Sequence, residues 1–224
     1  ISNAYFLQAG LNEIRKSHGL DELDALEFRD LLKEKMELVA VSARNRQRAR
    51  GVDISNYRWF DDPVELAAQR DLDVVVELIG GSDGPAKRAV ETALQRGAHV
   101  VTANKALVAV HGSSLAETSE GAGGKLLFEA AVGGGVPMIK MLKESLAGSR
   151  ASAVAGILNG TCNYILTEME TSGRSFADVL ADAQRMGYAE ADPTTDVGGF
   201  DAAHKLTILS AIAFGSKPDF DHVR

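Results

Sequence analysis

The sequence predicts an α/β protein built on a parallel sheet, and three observations predict it. Short apolar runs rich in β-branched residues alternate with helical segments, the pattern of right-handed strand–helix–strand units. Glycine is abundant, 22 in 224 residues, and falls where strand-to-helix turns are expected. Aromatic residues make up only 6%, which suits an α/β enzyme better than a β-sandwich. With 45% hydrophobic and 25% charged residues the chain has globular proportions, so disorder, collagen and a coiled-coil rod are excluded as the main state.

Taken in order, residues 1–36 read as mostly helical, with Leu20, Leu23, Leu26, Leu31 and Leu32 among many charges. Residues 37–43 form a short apolar run fit for a buried strand, followed by a polar, arginine-rich stretch over 45–58. Pro63 to Arg70 predicts a helix, with Asp61 or Asp62 as cap and Pro63 in the first turn. Asp73 to Ile79 is the strongest strand, bounded by Asp and Gly. Pro85 to Arg96 predicts a helix stopped by Gly97, His99 to Thr102 a buried strand, and Asn104 the start of the next helix. The character changes near residue 125: Lys125 to Val132 reads as a strand leading into a glycine-rich turn, then a helix from Met138 to Ala147 and a strand from Ala151 to Leu158. Helices follow at Gly160–Thr171 and Phe176–Met186, then an acidic loop over 188–200, then a helix from Asp201 to Phe214 with Leu206, Ile208, Leu209, Ile212 and Ala213 facing inward. This divides the chain into two units, 1–122 and 123–224.

Composition also bounds the partners. A formal charge of −7 argues against a phosphate-backbone partner, which needs a basic face. No apolar run approaches the ~20 residues that span a bilayer, and no basic-then-apolar leader opens the chain. A single cysteine, Cys162, suits a reducing cytoplasm.

Several motifs carry chemistry, and each has a plainer alternative. Gly80-Gly81 ends a strand and precedes a helix, which lets a ligand approach backbone amides; the alternative is an ordinary turn. Lys105 follows the next strand end at the same edge, as a site residue or as a solvated charge. Arg44 follows the first strand, where a dinucleotide fold meets the adenine ribose; an arginine there accepts the 2′-phosphate of NADP, and Arg46, Arg48 and Arg50 follow with no acid before Asp53. The alternative is a basic surface loop. The acidic loop presents Glu190, Asp192, Asp196 and Asp201 among glycines, either for a cation or ammonium group or as a hydrated loop. Asp201 and Lys205 lie four apart and share a helix face, where a lysine held by carboxylates can donate a proton to a developing alkoxide, or simply form a surface pair. Glu129 before the Gly133-Gly134-Gly135 turn offers oxygen ligands for a hard cation, or merely caps the turn. Cys162, after Asn159-Gly160-Thr161, reads as a nucleophile at a helix start or as a buried inert thiol. His204 has no second histidine at metal spacing and reads as a packing or surface residue.

Together the segments VVELIGG, VVTANKALVA, FEAAVGGGVPMI, GILNGTCNYILTEM and GYAEADPTTDVGGFDAAHKLTILSAIAFG resemble the homoserine dehydrogenase family, from about Glu37 to Phe220. The resemblance implies a Rossmann-type nucleotide domain and an α/β substrate and dimerisation domain, incomplete here at its C-terminal side. It implies an oxidoreductase that reduces L-aspartate 4-semialdehyde to L-homoserine with NADPH or NADH, in threonine, methionine and isoleucine biosynthesis, as a cytoplasmic homodimer. Carried over by motif, Lys205 is the proton donor and Lys105 a second lysine at the reacting oxygen. Glu190, Asp196 and Asp201 bind the amino-acid end of the substrate. Arg44, Gly80, Thr102, Lys105 and Gly187 line the cofactor, and Glu129 with carbonyls of Val132, Gly134 and Val136 matches a sodium site. The family's opening Gly-x-Gly-x-x-Gly turn has no counterpart in residues 1–36, which contain only Gly10 and Gly19. That leaves open two other readings: a non-catalytic dimerising remnant, and a thiol-dependent aldehyde dehydrogenase using Cys162.

Overall fold

The computed structural model describes residues 37–224, so the helical expectation for residues 1–36 lies outside the described residues. The expected α/β architecture with parallel strands is present. Strands β1 (Ala40–Ser42) and β2 (Arg58–Phe60) pair in parallel, with Val41 opposite Trp59. Strands β3 (Val74–Glu77), β4 (His99–Thr102) and β5 (Leu126–Leu127) form a second parallel sheet in that order, with Val75 opposite Val100 and Val101 opposite Leu127. This sheet therefore runs past residue 122, where the sequence pattern divides the chain.

The helices of the first sheet start where their caps dictate. Helix α1 (Pro63–Ala67) begins after Asp62, whose carboxylate accepts the amide of Val64 at 2.8 Å. Helix α2 (Pro85–Gln95) carries Ala86, Ala89, Val90, Ala93 and Leu94 at three- and four-residue spacing, and all are buried. Helix α3 (Lys105–Ala122) is capped by Asn104, whose side-chain oxygen accepts the amide of Leu107 at 3.1 Å.

Two apolar cores meet on α3. Leu107 and Leu115 pack with Val75, Val90, Leu94 and Val100 in the first. Val108 and Ala109 pack with Val132, Ile139, Ile208 and Leu209 in the second. Beyond a single 3₁₀ turn (Glu129–Ala131) come α4 (Met138–Lys140), which widens into a π turn over Met141–Ser145, then α5 (Gly160–Ser172) and α6 (Phe176–Arg185). A four-residue helix, α7 (Thr194–Val197), and α8 (Phe200–Phe214) complete the series.

Four expectations are corrected. The strand expected over Lys125–Val132 lasts only for Leu126–Leu127, because the chain coils at Glu129, whose carboxylate turns inward to accept the amides of Ile139 and Lys140. Ala151–Leu158 forms no strand, since a strand exists by its ladder and no described segment pairs with it. Within the acidic loop Thr194–Val197 coils into α7. Arg58, read as the end of the polar stretch, opens the strand β2 (Arg58–Phe60); the guanidinium groups of Arg46 and Arg50 lie 5.8 and 5.5 Å from the ring centroid of its Trp59. On α8, Ile208 and Leu209 are buried as expected, while Leu206, Ile212 and Ala213 are only half-buried.

Gly97 tests how tightly α2 turns into β4. Its φ is +83°, and a Cβ there would sit 2.8 Å from the carbonyl oxygen of Ala122. Gly97→Ala is expected to lower stability by about 1–3 kcal/mol, read as a fall in the urea midpoint; an unchanged midpoint would show that the turn relaxes freely.

Candidate active site

The carboxyl ends of β3 and β4 are locked by a buried acid. Glu77, the last residue of β3, is 3% exposed. One of its oxygens accepts the amides of Ile79 at 2.7 Å and Gly80 at 3.0 Å, and the other accepts the hydroxyl of Thr102. Thr102 Oγ1 in turn accepts the amide of Asn104 at 2.9 Å, and Asn104 Nδ2 donates to the carbonyl of Gly81 at 2.8 Å. The glycine turn is therefore held open by its own strand, and the Gly80 amide expected to face a ligand is already engaged. No side chain lies within 4 Å of where a Gly80 Cβ would stand, so its Cα side is open. Glu77 escaped sequence reasoning, as did the bond from Asn104 to the glycine turn; the available signal was a carboxylate closing an otherwise apolar strand.

Lys105, the first residue of α3, and Lys205, on α8, converge on one carboxylate. Asp201 lies in the first turn of α8 and is 5% exposed. Lys105 Nζ is 2.9 Å from its Oδ1, and Lys205 Nζ donates to its Oδ2 at 2.7 Å. Asn159 Nδ2 donates to Oδ2 at 2.9 Å, and also to Asp196 Oδ1 at 2.8 Å. Lys205 Nζ makes a second bond, 2.7 Å, to the carbonyl of Leu158. Burial pushes the Asp201 carboxyl upward, but the bonds from Lys205, Asn159 and Lys105 outweigh it and hold the group below the usual aspartate value. The two lysines singled out from sequence thus share a site. Asn159, which sequence reasoning passed over as part of a helix-start motif, completes it.

The other candidates sit around this cluster in different states. Asp196 is half-buried and joined to it through Asn159. Glu190 is exposed, on a loop tied to α5 by the bond from the Thr161 hydroxyl to the Tyr188 carbonyl at 2.8 Å. Gly187 turns that loop with φ +78° just after α6. Arg44 is exposed beyond the end of β1. Lys205 also lines an open cleft of about 1010 Å³, otherwise largely apolar, between α8, the Val132–Met138 turn and the extended Val154–Leu158 segment; Lys105 is not in its lining.

Three residues are read more sharply by the structure. The Cys162 thiol is pushed upward by burial and by Asp196 and Asp201, and its sulfur lies 3.2 Å from the Asp196 carbonyl. A thiol kept protonated in this way is a poor nucleophile, which counts against the thiol-dependent reading. His204 stacks on Phe220 at 4.4 Å, and burial and Lys105 push its pKa down, so it is a neutral packing residue as expected. Glu129 is buried, with Ile139 N on one oxygen and Lys140 N on the other, both at 2.9 Å. Val132 is buried, Gly134 and Val136 are exposed, and the Val136 carbonyl accepts the amide of Met138. Among the described residues no group of three or more His, Cys, Asp or Glu side chains is arranged for a metal ion, and no helix is long and apolar enough to cross a membrane.

Known proteins resemble this chain along nearly all of its length. A family model described as homoserine dehydrogenase matches residues 137–224, and one described as homoserine dehydrogenase, NAD binding domain, matches residues 21–129. A homoserine dehydrogenase of Neisseria gonorrhoeae is 47% identical over 197 residues, which is 88% of this chain and 45% of that protein. The chain thus spans less than half the length of that curated relative. A crystal structure of a homoserine dehydrogenase from Thiobacillus denitrificans matches with a TM-score of 0.77 and 49% identity, over 82% of this chain and 42% of that one. A hyperthermophilic archaeal homoserine dehydrogenase solved in complex with NADPH matches with a TM-score of 0.67 and 26% identity, over 92% of this chain and 61% of that one.

The lowered Asp201 pKa has a consequence for stability. Because the folded carboxyl is more acidic than the unfolded one, its contribution is complete above the ordinary value of 3.8 and is lost as pH falls through the folded value. Asp201→Asn is therefore expected to lose less stability than the wild type between pH 6 and pH 3, by urea midpoints at each pH. An equal loss in both proteins would show that the Asp201 cluster does not form in solution.

Proposed function

This chain belongs to the homoserine dehydrogenase family, and we propose that it carries the proton-donating half of an NAD(P)H-dependent reductase of L-aspartate 4-semialdehyde, yielding L-homoserine for threonine, methionine and isoleucine biosynthesis. The observation that carries this reading is the meeting of Lys105 and Lys205 on one buried carboxylate. Reduction of an aldehyde leaves negative charge on its oxygen. Two ammonium groups fixed in a half-buried place stabilise that charge and supply the proton it takes up. Lys205 is the donor, since its hydrogen bonds to Asp201 and the Leu158 carbonyl hold it in the lining of the cleft. Lys105 supports the oxygen from the strand edge. Asp201 orients both lysines, because both its oxygens are engaged by them. Glu190 and Asp196 are left to hold the substrate ammonium.

The nicotinamide cofactor supplies the hydride when bound, and the strand ends fit it. Arg44 is exposed beyond β1 for a 2′-phosphate, and Gly80 presents open space beyond β3. Thr102 acts through Glu77, which holds the glycine turn in place, and Lys105 and Gly187 stand on the nicotinamide side. The NADPH complex of the archaeal relative supports NADP, with NAD as the other dinucleotide of the same fold. Glu129 also fits a structural sodium site. With the carbonyls of Val132, Gly134 and Val136 its carboxylate makes an oxygen-only donor set, the kind a hard cation takes. The two units, 1–122 and 123–224, belong to a cytoplasmic homodimer.

Two measurements follow. Lys205→Ala is expected to lower kcat for semialdehyde reduction by ~10²–10⁴, and Lys205→Arg to lower it comparably, because a guanidinium keeps the charge but does not give up its proton; near-wild-type turnover of Lys205→Arg would remove it as donor. Arg44→Ala is expected to raise KM for NADPH far more than for NADH, whereas equal effects would show that Arg44 does not read the phosphate.

A further inference from the structure

Asn159 stands at a junction of three elements. It is buried and forms the N-cap of α5, its Oδ1 accepting the amide of Cys162 at 2.7 Å. Its single NH₂ group bridges two acids, donating to Asp196 on α7 and to Asp201 on α8. The residue before it, Leu158, gives its carbonyl to Lys205. One turn of chain therefore holds both members of the Asp201–Lys205 pair, the carboxylate by a side chain and the ammonium by the backbone.

We propose that Asn159 is a positioning residue for the proton donor: it draws Asp196 and Asp201 together across one amide and leaves Lys205 a single lone-pair direction on Asp201. The cap bond is what makes this work. It fixes the carbonyl end of the amide on Cys162 N and so aims the NH₂ at the carboxylates; the flipped amide would set an oxygen against two anions. Serine and aspartate cap helices about as well as asparagine, but neither offers two donors from that position. Capping alone therefore does not account for asparagine here, whereas bridging does. The charged and titratable groups around Asp201 are Lys105 from α3, Lys205 and His204 from α8, Asp196 from α7 and Cys162 from α5.

The inference rests on the reading of Lys205 as proton donor, and the test separates the two. Asn159→Ser keeps a cap and loses the bridge, while Asn159→Asp keeps a cap and adds an anion. The Asp201 carboxyl is followed by carbon-detected NMR titration in each variant, and turnover with NADPH and aspartate semialdehyde is measured alongside. Asn159→Asp is expected to raise the Asp201 midpoint by about one pH unit or more, with Asn159→Ser in between. In both, kcat is expected to fall roughly 10- to 100-fold with KM for NADPH little changed. Unmoved Asp201 titration and kcat in both variants, with stability lost only in Asn159→Ala, would overturn the proposal and leave Asn159 as a cap alone. A moved titration with unchanged turnover would also overturn it, leaving Asn159 holding Asp201 with no part in proton donation, while turnover of Lys205→Arg decides separately whether Lys205 is the donor. If Asn159→Asp fails to fold, Asn159→Ser alone decides by the same two readings.

Discussion

The candidate site depends on one carboxylate that stays ionised out of water. An isolated buried anion is costly, and it persists only where opposite charge and hydrogen bonds replace its hydration. Asp201 meets that condition with two lysines and an asparagine drawn from three different helices. The start of α3, the start of α5 and the first turns of α8 are brought to one point by a requirement that no single element satisfies. The same requirement leaves two ammonium groups close together, an arrangement like-charge repulsion would otherwise oppose.

A second buried acid plays a comparable part at the sheet edge. Glu77 collects two backbone amides and a hydroxyl, and through Thr102 and Asn104 it ties the glycine turn to the start of α3. Lys105 is the residue immediately after Asn104. The geometry of the strand edge is thus passed to the first lysine within one residue, and that of the acidic loop to the second lysine through Asn159 and Leu158.

Much of this was legible in the chain, and the reasons are local. Asp62-Pro63, Asn104 and Gly97 announce helix ends by chemistry confined to a few residues, and β4 was placed to the residue. Lys105, Asp201 and Lys205 stood out because each lies at a strand end or on a shared helix face. What failed to show depends on partners distant in sequence. Nothing within Ala151–Leu158 says that no strand will pair with it. Nothing within Phe128–Val132 says that Glu129 will turn in to cap a helix ten residues on. Asn159 drew no reading of its own because its NH₂ partners lie 37 and 42 residues away. β2 was missed because Arg58–Phe60 is too short to show alternation.

Helix α3 has a different kind of consequence. Its Leu107 and Leu115 belong to one apolar core and its Val108 and Ala109 to the other, so neither core can melt while α3 stays ordered on its remaining side without exposing part of the other. Cooperativity is therefore built into a single rod. The two units share one unfolding event, because each places apolar side chains against the same helix.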